Sequence, residues 1–97
     1  MLRCFFLGFV RIHILHHAAE EPIFGSGIKE ELARHGYHLS PGTLYPILHG
    51  LERQGYIESY DEVVNGKARK YYRTTQAGMA ALEEAKGKIA ELVDEVL

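Results

Sequence analysis

The stretch that decides the fold is residues 40–74, SPGTLYPILHGLERQGYIESYDEVVNGKARKYYRT. Its first part predicts a helix, because apolar residues recur there at helical spacing: Leu44, Ile47, Leu48 and Leu51. Ser40 is a preferred capping residue, and Pro41 occupies the first helical position, where proline is tolerated. Gly55 suits the left-handed residue that follows a helix, so we expect the helix to end just before it.

The second part of the stretch predicts a β-hairpin. Asn65-Gly66 favours a two-residue type I′ turn, and such a turn determines which residues face each other across the strands. The register pairs Tyr60 with Tyr71, and the remaining facing pairs are Glu58–Arg73, Asp61–Lys70, Glu62–Arg69 and Val64–Lys67. Three of these pairs join opposite charges, and each such pair stabilises a hairpin by about 0.2–1 kcal/mol.

Helices are predicted on both sides of this stretch. Residues 2–19 are apolar nearly all round, which is typical of a helix buried on most sides. We expect Ser26 to cap a short second helix that Gly36 ends. Thr75 is expected to cap a last helix over residues 76–97, about 33 Å long.

The order helix, helix, helix, hairpin, long helix indicates a mainly α (α+β) fold. It matches the winged helix-turn-helix plan, with a two-stranded wing and a long C-terminal dimerisation helix. Residues 1–74 would form the winged-helix DNA-binding domain and residues 75–97 the dimerisation helix, packed together as one compact unit.

Composition is that of a globular protein with 97 residues, 46% hydrophobic content and a net charge of −2. Within this acidic chain, residues 33–74 carry six basic and four acidic residues and are net positive. The single cysteine, Cys4, cannot form an internal disulfide, which suits a reducing compartment, and its position in an apolar run predicts a buried thiol. The apolar start suggests a secretory leader, but Arg11 and His13 interrupt it, so we expect a cytoplasmic protein.

The outward face of the third helix carries small side chains and a few polar ones long enough to contact DNA. A solvated face usually carries Glu, Lys and Gln instead. A recognition helix in a major groove needs such a face, although a plain amphipathic helix is the alternative. We expect Thr43, Tyr45 and His49 to read bases or sugars, whereas Ser40, Arg53, Lys67 and Arg69 would hold phosphates. The full predicted DNA-binding set is Ser40, Pro41, Thr43, Tyr45, Pro46, His49, Arg53, Lys67, Arg69 and Lys70.

The first and last helices have more apolar surface than a winged-helix core can cover. A two-fold dimer would bury this surplus, and an intramolecular fold-back is the alternative. The predicted dimerisation residues are Leu2, Phe5, Phe6, Phe9, Leu82, Ile89, Leu92, Val93 and Val96.

Other chemistry finds little support in the sequence. His13 and His17 stand at a spacing that can bind a metal, with His16 nearby, but Glu20 and Glu21 fall at the helix end. We therefore expect these histidines to face a partner helix and predict neither a metal nor a cofactor. The sequence has no phosphate-binding glycine loop and no activated nucleophile, which argues against an enzyme.

The motif residues resemble the PadR family of transcriptional regulators. Matching positions in its recognition-helix motif are Ser40, Gly42, Thr43, Leu44, Tyr45, Pro46, Leu48, Leu51, Glu52, Gly55, Tyr56 and Ile57. A later motif matches Arg69, Lys70, Tyr71, Tyr72, Thr75 and Gly78. The resemblance implies a homodimeric winged-helix DNA-binding protein, usually a repressor, of the short subfamily that dimerises through its first and C-terminal helices.

Two departures from the family pattern are visible. The family often has Gly-Tyr at the start of helix 2, where this chain has Gly25-Ser26-Gly27. The chain also lacks tryptophan, which some drug-binding members use to stack ligands, so a small aromatic effector is an open question.

The expected function is therefore a sequence-specific transcriptional regulator, binding a pseudo-palindromic DNA operator as a homodimer. Its expected partners are double-stranded DNA, a second copy of itself and, as a candidate, a small aromatic effector, with no membrane partner. The alternatives are a winged-helix protein-interaction module without DNA binding and a small-molecule sensor.

Overall fold

The computed structural model describes residues 2–97, which fold into four helices and three strands. The elements in chain order are α1 (Leu2–Glu20), β1 (Ile23–Phe24), α2 (Gly25–Arg34), α3 (Pro41–Arg53), β2 (Ile57–Val64), β3 (Lys67–Thr74) and α4 (Gln76–Val96). The predicted mainly α (α+β) order of three helices, a hairpin and a long helix is confirmed.

Glycines in the left-handed region follow two of the helices, as the sequence predicted. Gly36 has a φ of 87° after α2, and Gly55 has a φ of 83° after α3. Side chains disfavour this conformation, whereas glycine adopts it readily. These two residues therefore set the lengths of the helices that precede the wing.

The predicted start of α2 is wrong by two residues. The helix begins at Gly25, with Phe24 at the N-cap position, so Ser26 lies inside the first turn instead of capping it. The reason is that Ile23 and Phe24 form a strand, and the helix starts directly where that strand ends.

The hairpin has the predicted register along its whole length. Tyr60 lies opposite Tyr71, with their rings stacked 5.9 Å apart, and Val64 lies opposite Lys67 next to the turn. Asn65 and Gly66 both have positive φ, 53° and 76°, as a type I′ turn requires. The turn chemistry and the cross-strand pairs therefore act together to specify the wing.

Strand β1 adds a third, unpredicted strand to the hairpin. The antiparallel sheet has the order β1-β3-β2, with Ile23 opposite Tyr72 and Phe24 opposite Tyr71. Its two residues are too short for a periodic pattern, so the sequence carried no strand signal here. Through β1, the wing is attached to the start of α2.

The core lies where α1, α2, α3 and the sheet meet the first turns of α4. Its buried apolar residues are Val10, Ile14, Leu15, Ile28, Leu32, Leu44, Ile47, Leu48, Leu51, Ile57, Tyr72 and Leu82. The presence of Leu82 in this core corrects its assignment to the dimer surface. At 2% exposure it is covered within one chain, so it cannot offer apolar surface to a second copy.

The start of α4 is fastened to the turn that follows α3. Gly78 lies so close to this turn that an added Cβ would collide with the Tyr56 carbonyl oxygen. The Thr75 hydroxyl donates to the Gly55 carbonyl at 2.6 Å and accepts the Gly78 N–H at 3.1 Å, which confirms its capping role. Because these contacts involve backbone atoms, they fix how α4 leaves the winged helix.

Both α1 and α4 continue beyond the core with apolar side chains in solvent. Exposed residues are Leu2, Phe5, Phe6 and Phe9 on α1, and Met79, Ile89, Leu92, Val93 and Val96 on α4. We call this set the exposed apolar surface. Cys4 is also exposed, which corrects the expectation of a buried thiol, because the core begins only further along α1. Within residues 2–97, no helix is both long and apolar enough to cross a membrane.

Candidate nucleic-acid interface

The outward face of α3 is exposed and slim. The four residues that hold α3 on the core are Leu44, Ile47, Leu48 and Leu51, and all are buried. On the opposite side, Gly42, Pro46, His49 and Arg53 are exposed, flanked by exposed Tyr45 and half-buried Thr43. Pro41 is also exposed, at the first position of the helix. The helix therefore has the predicted division into a buried core face and an exposed outward face.

The N-terminus of α3 presents two hydroxyl groups. Ser40 occupies the N-cap position, but its Oγ lies 3.3 Å from the Thr43 Oγ1 and makes no capping bond to a backbone N–H. Its carbonyl accepts the N–H groups of Thr43 and Leu44. The hydroxyls of Ser40 and Thr43 therefore sit together at the positive end of the helix dipole, where anions are favoured.

Pro46 lies inside α3 without ending it, since the helix continues to Arg53. A proline lacks the N–H that would bond to the carbonyl four residues earlier, here that of Gly42. Both residues are exposed on the same face. The freed carbonyl is therefore on the solvent side, where water or a bound ligand can satisfy it.

The wing carries its basic residues on β3. Lys67, Arg69 and Lys70 are all exposed, with Lys67 next to the turn. Arg69 does not close an ion pair with Glu62 despite facing it, because its guanidinium lies over the Phe24 ring, 4.6 Å from the centroid. Of the three predicted charge pairs, Glu58–Arg73 forms an ion pair, at 2.6 Å.

A cleft of about 430 Å³ separates α3 from the wing. Its lining residues are Phe24, Gly25, Ser26, Tyr45, His49, Arg69, Lys70 and Tyr72. Tyr45 and His49 come from α3, whereas Arg69 and Lys70 come from β3, so the cleft brings together two parts of the predicted DNA-binding set. Burial, and secondly Glu52, raises the pKa of the Tyr72 phenol at its base, which keeps that group protonated and uncharged.

Gly25 is a residue of this cleft whose role the sequence did not reveal. An added Cβ would lie 2.8 Å from the Tyr45 hydroxyl oxygen, so a larger residue here would require the end of this exposed side chain to shift. The signal was present in the Gly25-Ser26-Gly27 run, but the contact depends on how α2 packs on α3. The Tyr45 ring of α3 therefore lies against the start of α2.

A second, smaller cleft lies on the other flank of α3. Its volume is about 210 Å³, and it is lined by Arg11, Pro46, Ile47, Gly50, Leu51, Arg53 and Gln54. Arg11 of α1 thus lines the same cleft as Arg53 of α3, and the sequence did not suggest that these two residues lie on one surface. Ser40 and Lys67 line neither cleft, and they stand at the helix N-terminus and at the wing tip.

A three-helix core with an exposed third helix and a basic hairpin beside it defines a winged-helix protein. Residues 14–84 match the model of the transcriptional regulator PadR-like family. The chain is 54% identical over 88 residues to transcriptional regulator Rv3488 of Mycobacterium tuberculosis, covering 91% of this chain and 82% of the relative.

Solved structures agree with this assignment. A PadR family transcriptional regulator from Eggerthella lenta superposes with a TM-score of 0.84 at 34% identity, covering 99% of this chain and 85% of that one. A PadR-like transcriptional regulator from Bacillus cereus gives a TM-score of 0.79 at 30% identity, with coverage of 92% and 91%. The chain belongs to the PadR-like family, whose members are transcriptional regulators that bind DNA and are not enzymes.

Proposed function

We propose that this chain is a repressor that binds a pseudo-palindromic operator as a homodimer. In this account the outward face of α3 enters the major groove, and the wing lies along the backbone beside it. The observation that carries the proposal is the cleft, where α3 side chains and wing cations face the same space.

The shape of α3 supports groove entry. The major groove is about 12 Å wide, close to the 10–12 Å diameter of a helix with its side chains. Gly42 and Pro46 keep the outward face low, so the backbone can approach the bases. Thr43, Tyr45 and His49 are then the side chains in position to meet base edges or sugars.

Cations and hydroxyls around α3 supply the phosphate contacts in this proposal. Ser40 lies at the helix N-terminus, Arg53 at the other end of α3, and Lys67, Arg69 and Lys70 along the wing. Arg11, which shares a cleft with Arg53, is an added phosphate candidate from α1. Such contacts fix the orientation of a protein on DNA without reading sequence.

The exposed apolar surface supports a dimer. Phe5 is 52% exposed and Leu92 54% exposed, a state that a second copy would relieve by burying both helices. A two-fold dimer presents two α3 helices, and these meet successive major grooves when they stand about 34–36 Å apart. The operator would then hold two half-sites about 10 bp apart, or a multiple of that spacing.

Fluorescence anisotropy tests the DNA part of the proposal. The untagged protein is titrated into labelled duplex from upstream of its own gene and into a scrambled duplex, at two salt concentrations. We expect tighter binding to the upstream duplex and weaker binding to both at high salt. Equal, salt-independent signals would instead support a winged helix that binds other proteins.

A reporter assay tests the sign of regulation. With the upstream region driving a reporter, co-expression of the chain should lower the signal, and Tyr45→Ala should restore it. A higher signal on co-expression would contradict repression. A small aromatic effector stays a prediction, which release of the DNA by phenolic compounds would support.

A further inference from the structure

Three histidines from different parts of the chain meet where α1 packs beside the end of α2. His13 and His17 are one turn apart on α1, and His35 is the residue that follows α2. We propose that these histidines, together with Glu31 of α2, bind one transition-metal dication of the zinc type. Such a site would join α1 to the helix-turn-helix.

The spacing of the ligand atoms fits this use. One ring nitrogen from each of His13, His17 and His35 can be chosen so that all three lie within 4.8 Å of one another. Ligand atoms around a tetrahedral zinc stand about 3.4 Å apart, given bonds of about 2.0–2.1 Å. Small rotations of the rings would close the difference, and two histidines at i and i+4 on a helix already share a face.

A buried nitrogen without a partner marks the centre of the cluster. Nε2 of His17 is buried and, among residues 2–97, accepts or donates no hydrogen bond. The nearest acidic atom is Oε1 of Glu31, at 3.8 Å, too far for a hydrogen bond. Buried polar atoms are normally satisfied, and a cation between these two atoms would satisfy both.

The protonation state of the histidines suits metal binding. Burial, with the neighbouring His35 as the next cause, lowers the pKa of His13 below its ordinary value of 6.5. Burial also lowers the pKa of His17, although Glu31 opposes that shift. Both rings are therefore neutral at pH 7 and offer the lone pairs that a metal requires.

Groups outside the cluster are placed to orient its ligands. Glu20 Oε1 lies 3.7 Å from Nδ1 of His17, on the ring atom that does not face Glu31. Arg34 donates to Oε2 of Glu31 at 2.5 Å, which leaves Oε1 directed to His17. Carboxylates and cations in such outer positions fix the tautomer and rotamer of metal ligands.

Another group, formed by His16, His17 and Glu20, also has ligand spacing. His16 and Glu20 are exposed and all three residues lie on one helix, so two of the three ligands of this group are solvated. The choice between the two groups is testable because His16 belongs to one and His35 to the other.

Isothermal titration calorimetry of the untagged protein with zinc chloride tests the proposal, with four proteins compared. They are the wild type, His35→Ala, His16→Ala and His38→Ala, the last being a matched control because His38 is exposed and outside both groups. We expect one zinc per chain in the wild type and in His38→Ala. His35→Ala should lower the affinity at least about tenfold, whereas His16→Ala should leave it within about threefold.

Far-UV circular dichroism of each variant establishes that it is folded, and thermal unfolding gives a second readout. Zinc should raise the melting temperature of the wild type by more than that of His35→Ala at the same zinc concentration. Cobalt(II) in place of zinc should give the intense visible absorption of a four-coordinate ion. No zinc binding by the wild type, or loss of binding in His16→Ala with retention in His35→Ala, would overturn the proposal.

Discussion

The start of α1 and the rest of the helix both carry large apolar side chains, but their surroundings are opposite. From Val10 onward, Val10, Ile14, Leu15 and Ala18 are buried against the winged-helix core. In the N-terminal half, the apolar side chains Leu2, Phe5, Phe6 and Phe9 are exposed. Composition therefore does not decide burial here, because the rest of the chain reaches only one half of the helix.

Helix α4 repeats the same division in the reverse direction. Gly78 and Leu82 are buried near its start, whereas Ile89, Leu92 and Val93 are exposed further along. The overall extents of 51 × 27 × 21 Å reflect this elongation. The molecule thus has a core half, whose apolar side chains are buried within one chain, and a projecting half, whose apolar side chains are exposed. The following substitutions separate the roles of the two halves.

The largest effect is expected from Leu48→Ala in the core half. Leu48 has no exposed surface, so its truncation leaves a cavity and should lower the free energy of unfolding by about 2–5 kcal/mol. Urea unfolding followed by circular dichroism measures this change. Equal unfolding midpoints for Leu48→Ala and the wild type would show that α3 is not held by the core as described.

The next effect is expected from Leu92→Asp in the projecting half. Burying a leucine side chain stabilises by about 1.5–3 kcal/mol, and a symmetric dimer contains two copies. The dissociation constant of the dimer should therefore rise at least about a hundredfold. The helical circular dichroism of each chain should persist. Light scattering during size-exclusion chromatography gives the mass.

Lys88→Ala is the matched control for that change, because Lys88 is an exposed, charged residue of the same helix. It should leave the mass unchanged. If both variants remain dimeric, the exposed apolar surface is not the dimer contact.

The sequence was informative where local chemistry decides the structure. Asn65-Gly66 set the hairpin register, and Gly36 and Gly55 set the helix ends, because each acts through its own backbone conformation. Strand β1 was missed, since two residues become a strand only when β3 lies beside them. Leu82 was misassigned because an apolar stripe does not show where the core stops covering it.

For the candidate DNA-binding residues too, the sequence predicted local features but not the contacts that depend on packing. The outward face of α3 followed from its helical period, but the neighbours of that face did not. Arg11 beside Arg53 and Gly25 beside Tyr45 depend on helix packing, as does the approach of His35 and Glu31 to the histidines of α1. Such contacts join residues that lie far apart in sequence, so no periodic pattern in the sequence predicts them.

A smaller effect is expected from Lys67→Ala at the wing tip. If Lys67 holds one phosphate, its removal should weaken binding to all DNA sequences alike and lower the salt slope by about one unit. Anisotropy titrations at several salt concentrations measure both quantities. Lys88→Ala serves again as the control, and an unchanged slope in Lys67→Ala would mean that the wing tip does not contact the backbone.

The smallest effect is expected from pH. The folded-state pKa values of His13 and His17 lie below the ordinary value of 6.5. At pH values between the folded and the unfolded pKa, the unfolded chain therefore binds more protons than the folded chain. Stability from these groups is present above pH 6.5 and is lost as pH falls through the folded values. Urea unfolding with a chelator present, at pH 7.5 and at lower pH, should show this loss, and His13→Gln should reduce it.

Sedimentation velocity with a labelled upstream duplex tests the central claim most directly, because it reports dimerisation and DNA binding together. The account predicts free protein at about twice the 11.0 kDa chain mass and a complex of two chains per duplex. Monomeric free protein that binds one chain per duplex, or no complex with DNA at all, would contradict it.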